Sequence, residues 1–206
     1  MDIQYKIIKK KIKNAYIQIK DGEVLIKVPY RMTQKEVQNL INQKKEWIDK
    51  HLQKTRNENT DFNLLGKSYP IIEKTSQEDN AEFTGEQVVL YLKQNSEEKK
   101  QELLKQLYKE QAQKQYIITT QKMMEKTGLK PELWKIRDIH SAWGSCSSKK
   151  TITLSLNLIQ KREEVIEYVV LHELCHLKHM NHSKEFWNLV ESYMPEYKVY
   201  RNELKI

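Results

Sequence analysis

Two histidines four residues apart, in His172-Glu173-Leu174-Cys175-His176, constrain this chain more than any other feature it has. On a helix that spacing puts both imidazoles on one face, one turn apart. Both can then bind one zinc ion, and Glu173, beside the first of them, can act as general base on a metal-bound water. The preceding run Val165-Ile166-Glu167-Tyr168-Val169-Val170-Leu171 is strongly apolar, so the helix reads as buried. A buried imidazole needs a partner, and a metal ion supplies one. The plain alternative is a pair of histidines satisfied by ordinary hydrogen bonds.

An open catalytic zinc site takes three protein ligands and leaves one position to water. His182 lies six residues beyond His176, the spacing of the longer HExxHxxGxxH zinc motif. An unbroken helix would turn residue 182 about 240° away from residue 176, so the helix must end between them. The glycine that usually permits this turn is absent, and His179 stands in its place. Asn181 is the expected left-handed residue, and Ser183 the expected cap of the next helix. His179, Glu185 and Glu191 are rival third ligands. Cys175 is a weaker rival, since it would compete with His176.

These residues carry a resemblance. His172 to Trp187, HELCHLKHMNHSKEFW, together with Trp143-Gly144-Ser145-Cys146 upstream, resembles the YgjP-like family of zincin metal-dependent hydrolases, which is related to the SprT-type metalloproteases. The motif order matches over residues 96 to 206. The resemblance implies a zinc-dependent hydrolase, in a family mostly of metallopeptidases, with His172, His176 and His182 as metal ligands and Glu173 as catalytic base. It leaves the substrate open between a peptide and a nucleotide, because some members are described as pyrophosphohydrolases acting on UTP. A third reading, from another class, is a nucleic-acid- or protein-binding module with structural zinc, which a fourth protein ligand would close.

Three further residues are expected to bind substrate. Arg137 could pair with a carboxylate or phosphate, against the alternative of a surface salt bridge. Trp143 could line the site or anchor the core. Ser145 lies in a small-residue stretch where backbone can approach a ligand. Residues 151–156 alternate β-branched and hydroxyl side chains and are the expected edge strand for an extended substrate. For a nucleotide, Lys149 and Lys150 join Arg137 as phosphate-side cations.

The fold expected is α+β: a small β-rich N-terminal region, residues 1–95, with one helix near 33–56, then a zincin-like helical domain, 96–206, with a short antiparallel sheet. Asp21-Gly22 between two alternating runs signals a hairpin. Thr33-Gln34-Lys35-Glu36 fits a capping box, opening a helix in which Trp47 falls at a core spacing. Residues 62–72 read as a second hairpin. Ser96 caps a long helix that Gly128 stops, and Ser183 to Met194 forms an amphipathic helix whose Phe186 and Trp187 pack behind the metal site.

Charge enters here. The net charge is +8, and the first sixty residues hold 14 Lys/Arg against 7 Asp/Glu. That basic region could make a weak nucleic-acid contact, although a solvated lysine-rich surface is the favoured account, because lysines dominate and arginines are few. Two cysteines do not make a disulfide framework, and no apolar run approaches the roughly 20 residues of a membrane span. A cytoplasmic enzyme with no membrane partner is the expectation.

Overall fold

The computed structural model describes residues 5–20, 23–49 and 61–204. The chain forms two compact units, Met1–Asp61 and Phe62–Ile206.

In the first unit, strand β3 (Glu23–Pro29) lies between β1 (Tyr5–Lys10), which runs parallel to it, and β2 (Tyr16–Lys20), which runs antiparallel. β2 and β3 pair as hairpin strands do; the Asp21-Gly22 link lies outside the described residues. Alternation along β3 points Val24, Ile26 and Val28 into a small core, where they meet Val37 and Ile41 of helix α1 (Gln34–Gln43) and Ile48. The capping box is present: Thr33 Oγ1 accepts from the Glu36 N–H, and Glu36 accepts from the Thr33 N–H at 2.7 Å. Residues 45–49 continue in helix, and the expected end near 56 lies outside the described residues. Trp47, expected in the core, is 42% exposed, because its neighbour Ile48 takes the buried position.

The second unit starts with a four-stranded sheet ordered β4 (Asp61–Leu64), β5 (Lys67–Thr75), β7 (Val88–Leu92), β6 (Asn80–Phe83). Helix α2 (Glu97–Thr127) follows. Ser96 caps its start, and Gly128 ends it at φ +70, a left-handed conformation that suits glycine. The expected division after residue 95 does not hold, because the β4–β7 sheet shares a core with what comes after it. Phe62, Leu64, Val88 and Leu90 are buried with Leu103 and Leu107 of α2. Phe62 stacks on Tyr108 at 4.2 Å, and the Asn63 N–H donates to the Tyr108 hydroxyl at 3.0 Å.

A three-stranded sheet then orders β8 (Leu133–Arg137), β10 (Thr151–Ser155) and β9 (Gly144–Cys146). It is mixed rather than antiparallel: β8 runs parallel to β10, and β9 antiparallel. A 3-10 turn (Leu156–Gln160) leads into helix α3 (Glu163–Cys175), then α4 (Lys184–Tyr193) and α5 (Tyr197–Glu203). The class is α+β. No helix among the described residues is long and apolar enough to cross a membrane.

Candidate metal centre and active-site cleft

Helix α3 is buried almost all round. Val165, Ile166, Val169, Val170, Leu171, Leu174 and Cys175 are each 3% exposed or less. Such a helix can be held only in one setting, so the direction of its histidines is fixed by packing. The helix stops at His176, and the Leu177, Lys178 and His179 N–H groups close the following turn on Leu174 and Cys175. Asn181 is not left-handed; among the described residues only Leu65 and Lys150 are non-glycines at positive φ. The chain reverses without that device and enters α4 through Ser183, whose hydroxyl accepts from the Phe186 N–H.

This turn brings His182 back to α3. The three Nε2 atoms converge: His172 lies 3.2 Å from His176 and 2.9 Å from His182. His172, His176 and His182 form one donor group within 4.8 Å. The His176 Nδ1–H donates to the His179 carbonyl oxygen at 2.9 Å, which leaves the His176 Nε2 lone pair facing the other two. His179 therefore contributes a backbone oxygen, and its ring stays out of the group. Glu185, Glu191 and Cys175 are outside it too; Glu191 faces Lys198 instead. Aromatic rings clamp the arrangement. His176 stacks on Phe186 at 4.5 Å, and His182 on Trp187 at 5.4 Å. Both rings stand behind the histidines as the sequence led one to expect.

Do these residues suit a divalent cation? Neutral donors are required, and burial drives the His172 pKa down to about 3, helped by the charges of His176 and His182. Burial also lowers His176. Three imidazole nitrogens about 3 Å apart cannot all be satisfied by one another. About 3.4 Å is the edge of a tetrahedron around an ion with ligands at ~2.05 Å, so small ring rotations bring the set into line. The residues fit the ion. His172 Nδ1 is buried without a hydrogen-bond partner among the described residues, and it gives His172 no competing anchor.

Glu173 is buried beside the group, and burial raises its pKa to about 8. Its neighbour explains Gly144: a Cβ there would lie 2.8 Å from Glu173 Oε1 and 2.9 Å from its Cγ. Gly144 has an ordinary negative φ, so its role is close approach rather than the tight turn its sequence suggests. A cleft of about 250 Å³ opens here, lined by Trp143, Gly144, Tyr168, His172, Glu173 and Arg201 among others.

Of the expected substrate-binding residues, Trp143 lies in this cleft, its indole N–H donating to the Leu204 oxygen at 3.3 Å. Ser145 pairs with Thr153 in the adjacent sheet with its side chain exposed. Arg137 is elsewhere, lining a separate small groove with Lys109 and Asp138. The expected edge strand is corrected as well. β10 is central, with partners on both sides, and the edge beside Glu173 is β9. Tyr168 and Arg201 were not signalled. The one trace of Arg201 in the sequence is its spacing of four from Tyr197, which shares the Trp187 ring with it.

A family model described as YgjP-like, metallopeptidase domain, matches residues 13–206. No curated protein matches the chain. Among solved structures, the metallopeptidase zymogen of Pyrococcus abyssi abylysin is 27% identical, with a TM-score of 0.39, over 42% of this chain and 88% of that one. The metallopeptidase zymogen of Methanocaldococcus jannaschii jannalysin is 25% identical, with a TM-score of 0.37, over 42% of this chain and 81% of that one.

Proposed function

The chain belongs to the YgjP-like metallopeptidase-domain family, and we propose that within it this hydrolase is a zinc-dependent peptidase working in the cleft between α3 and β9. The observation that carries the reading is the convergence of three imidazoles on one point, with a buried carboxyl at the wall of the same cleft. His172, His176 and His182 would hold the ion, and zinc suits three nitrogen donors. When bound, it supplies a Lewis acid and lowers the pKa of a water to about 7.

The protein's own groups do the rest. Glu173 takes a proton from the attacking water and returns it to the leaving amine. Burial raises its proton affinity above that of a free carboxylate, which strengthens it as an acceptor for that proton. Gly144 keeps the strand close to that carboxyl without touching it. The open edge of β9 offers backbone N–H and C=O groups to an extended peptide. Among the described residues no fourth His, Cys, Asp or Glu joins the donor set, which supports a catalytic rather than a structural ion. A nucleotide pyrophosphohydrolase would gather several cations around the phosphates, and Arg137 lies outside the cleft. The free thiols of Cys146 and Cys175 fit the cytoplasmic setting that belongs to this proposal.

The test compares the zinc-loaded wild type with Glu173→Gln on casein and on UTP. The expected result is casein cleavage that falls about 10²- to 10⁴-fold in the variant with its zinc content kept. Equal rates in both proteins would sink the reading, and turnover of UTP alone would replace the peptidase with the pyrophosphohydrolase.

A further inference from the structure

Arg201 stands in the cleft beside His172 and Glu173. It projects from α5, lines the cavity with His172 and Glu173, and is exposed to solvent. Its guanidinium carbon sits 4.3 Å from the centre of the Trp187 ring. Among the described residues no carboxylate pairs with it. Arg162 differs sharply, since it holds both Glu164 and Glu203. Stacking on an indole fixes the plane of a guanidinium and leaves its N–H edges for a bidentate partner. The same Trp187 ring stacks on His182, so one aromatic group positions both the third histidine and this cation. The rest of the wall is largely apolar, from Trp143, Tyr168, Val169 and Leu204. At about 250 Å³ the cavity is smaller than the roughly 300–1,000 Å³ of drug-sized pockets, so it takes about one residue.

We propose that Arg201 is a specificity-determining residue that binds a carboxylate of the peptide substrate within about one residue of the scissile bond. This rests on the peptidase reading of the cleft. A planar guanidinium forks onto a carboxylate through two parallel hydrogen bonds. The apolar wall around it accommodates the rest of one amino-acid residue; among the described residues Arg201 is the one Lys or Arg that lines the cavity, and Lys161 lies over the Trp143 ring at 5.0 Å. Two sources have this chemistry, the free C-terminus of a short peptide and an Asp or Glu side chain in a longer one.

The test uses three matched short peptides: a free acid, its C-terminal amide, and the amide carrying a glutamate at the last position. Binding to the metal-free full chain is measured by calorimetry, and cleavage is measured with the zinc-loaded protein. The wild type should bind the free acid, the glutamate amide, or both about 10- to 100-fold more tightly than the plain amide, the range of a hydrogen bond between charged groups. In Arg201→Gln that preference should vanish, with the loss in cleavage falling on KM more than on kcat. Arg201→Lys should keep part of the preference, and it answers the question if the glutamine variant does not fold. Tight binding of the glutamate amide assigns the carboxylate to a side chain, and weak binding assigns it to the C-terminus; either supports the proposal. Equal affinity for all three peptides overturns it, as does Arg201-dependent binding of UTP with none of the peptides. If carboxylate binding depends on Arg201 but no peptide is cleaved, the peptidase reading fails and the binding site stands.

Discussion

A single imidazole shows how the fold sets the chemistry. His172 is partly buried, and burial, more than its neighbours' charges, takes its pKa from 6.5 to about 3. The unfolded chain therefore binds a proton at this position between those values while the folded chain does not. Stability rises with pH wherever the unfolded state holds more protons, so in the metal-free protein this residue makes stability fall as pH drops below 6.5 toward 3. Urea melts in chelator across pH 7 to 4.5, on wild type and His172→Gln, measure it. The variant should show the shallower slope, and equal slopes would mean that His172 does not titrate as its burial requires. The His172-to-His176 pair could be read from spacing alone, since one helical turn is a local property. The left-handed conformation expected at Asn181 does not occur, because the turn closes through hydrogen bonds to Leu174 and Cys175 instead.

At the scale of elements, β9 against α3 is the contact on which the cleft depends. The strand is three residues long, Gly-Ser-Cys, with no alternation to reveal it, which is why the edge was expected one strand later. Its place follows from long-range pairing with β10 and from the space that Glu173 needs. Gly144→Ala would put a methyl group 2.8 Å from Glu173 Oε1. Overpacking of this kind costs about 1–3 kcal/mol, and the displaced carboxyl should lower peptidase activity at least tenfold, about 1.4 kcal/mol in the barrier. Zinc affinity should stay near wild type, because the three atoms nearest the added methyl all belong to Glu173. Thermal melts, zinc titration and rate measurements on one sample separate these effects. An active, fully stable alanine variant would show that the strand does not set the carboxyl's position. By contrast, α2 was legible end to end, since Ser96 and Gly128 are local cap signals. Arg201 was not, because its meaning comes from Trp187 and the cleft wall.

For the molecule as a whole, the two units carry separate apolar cores. One gathers Val24, Ile26, Val28, Val37, Ile41 and Ile48; the other runs from Phe62 to Tyr197 and contains α3. A cluster of that size supports a domain by itself. Residues 62–206 expressed alone should fold cooperatively and bind zinc within about threefold of the full chain, close to 0.7 kcal/mol. Circular dichroism with zinc titration checks both. A fragment cut after residue 95 should aggregate, since it loses the Phe62–Tyr108 stack and the sheet that covers α2. If that shorter piece folds equally well, the boundary belongs where composition first suggested it.

The three histidines differ in their access to water: His176 is buried, His172 is partly so, and His182 is exposed. On the proposed metal reading, that gradient of exposure sets the order of ligand exchange: His182 should release an ion first and His176 last.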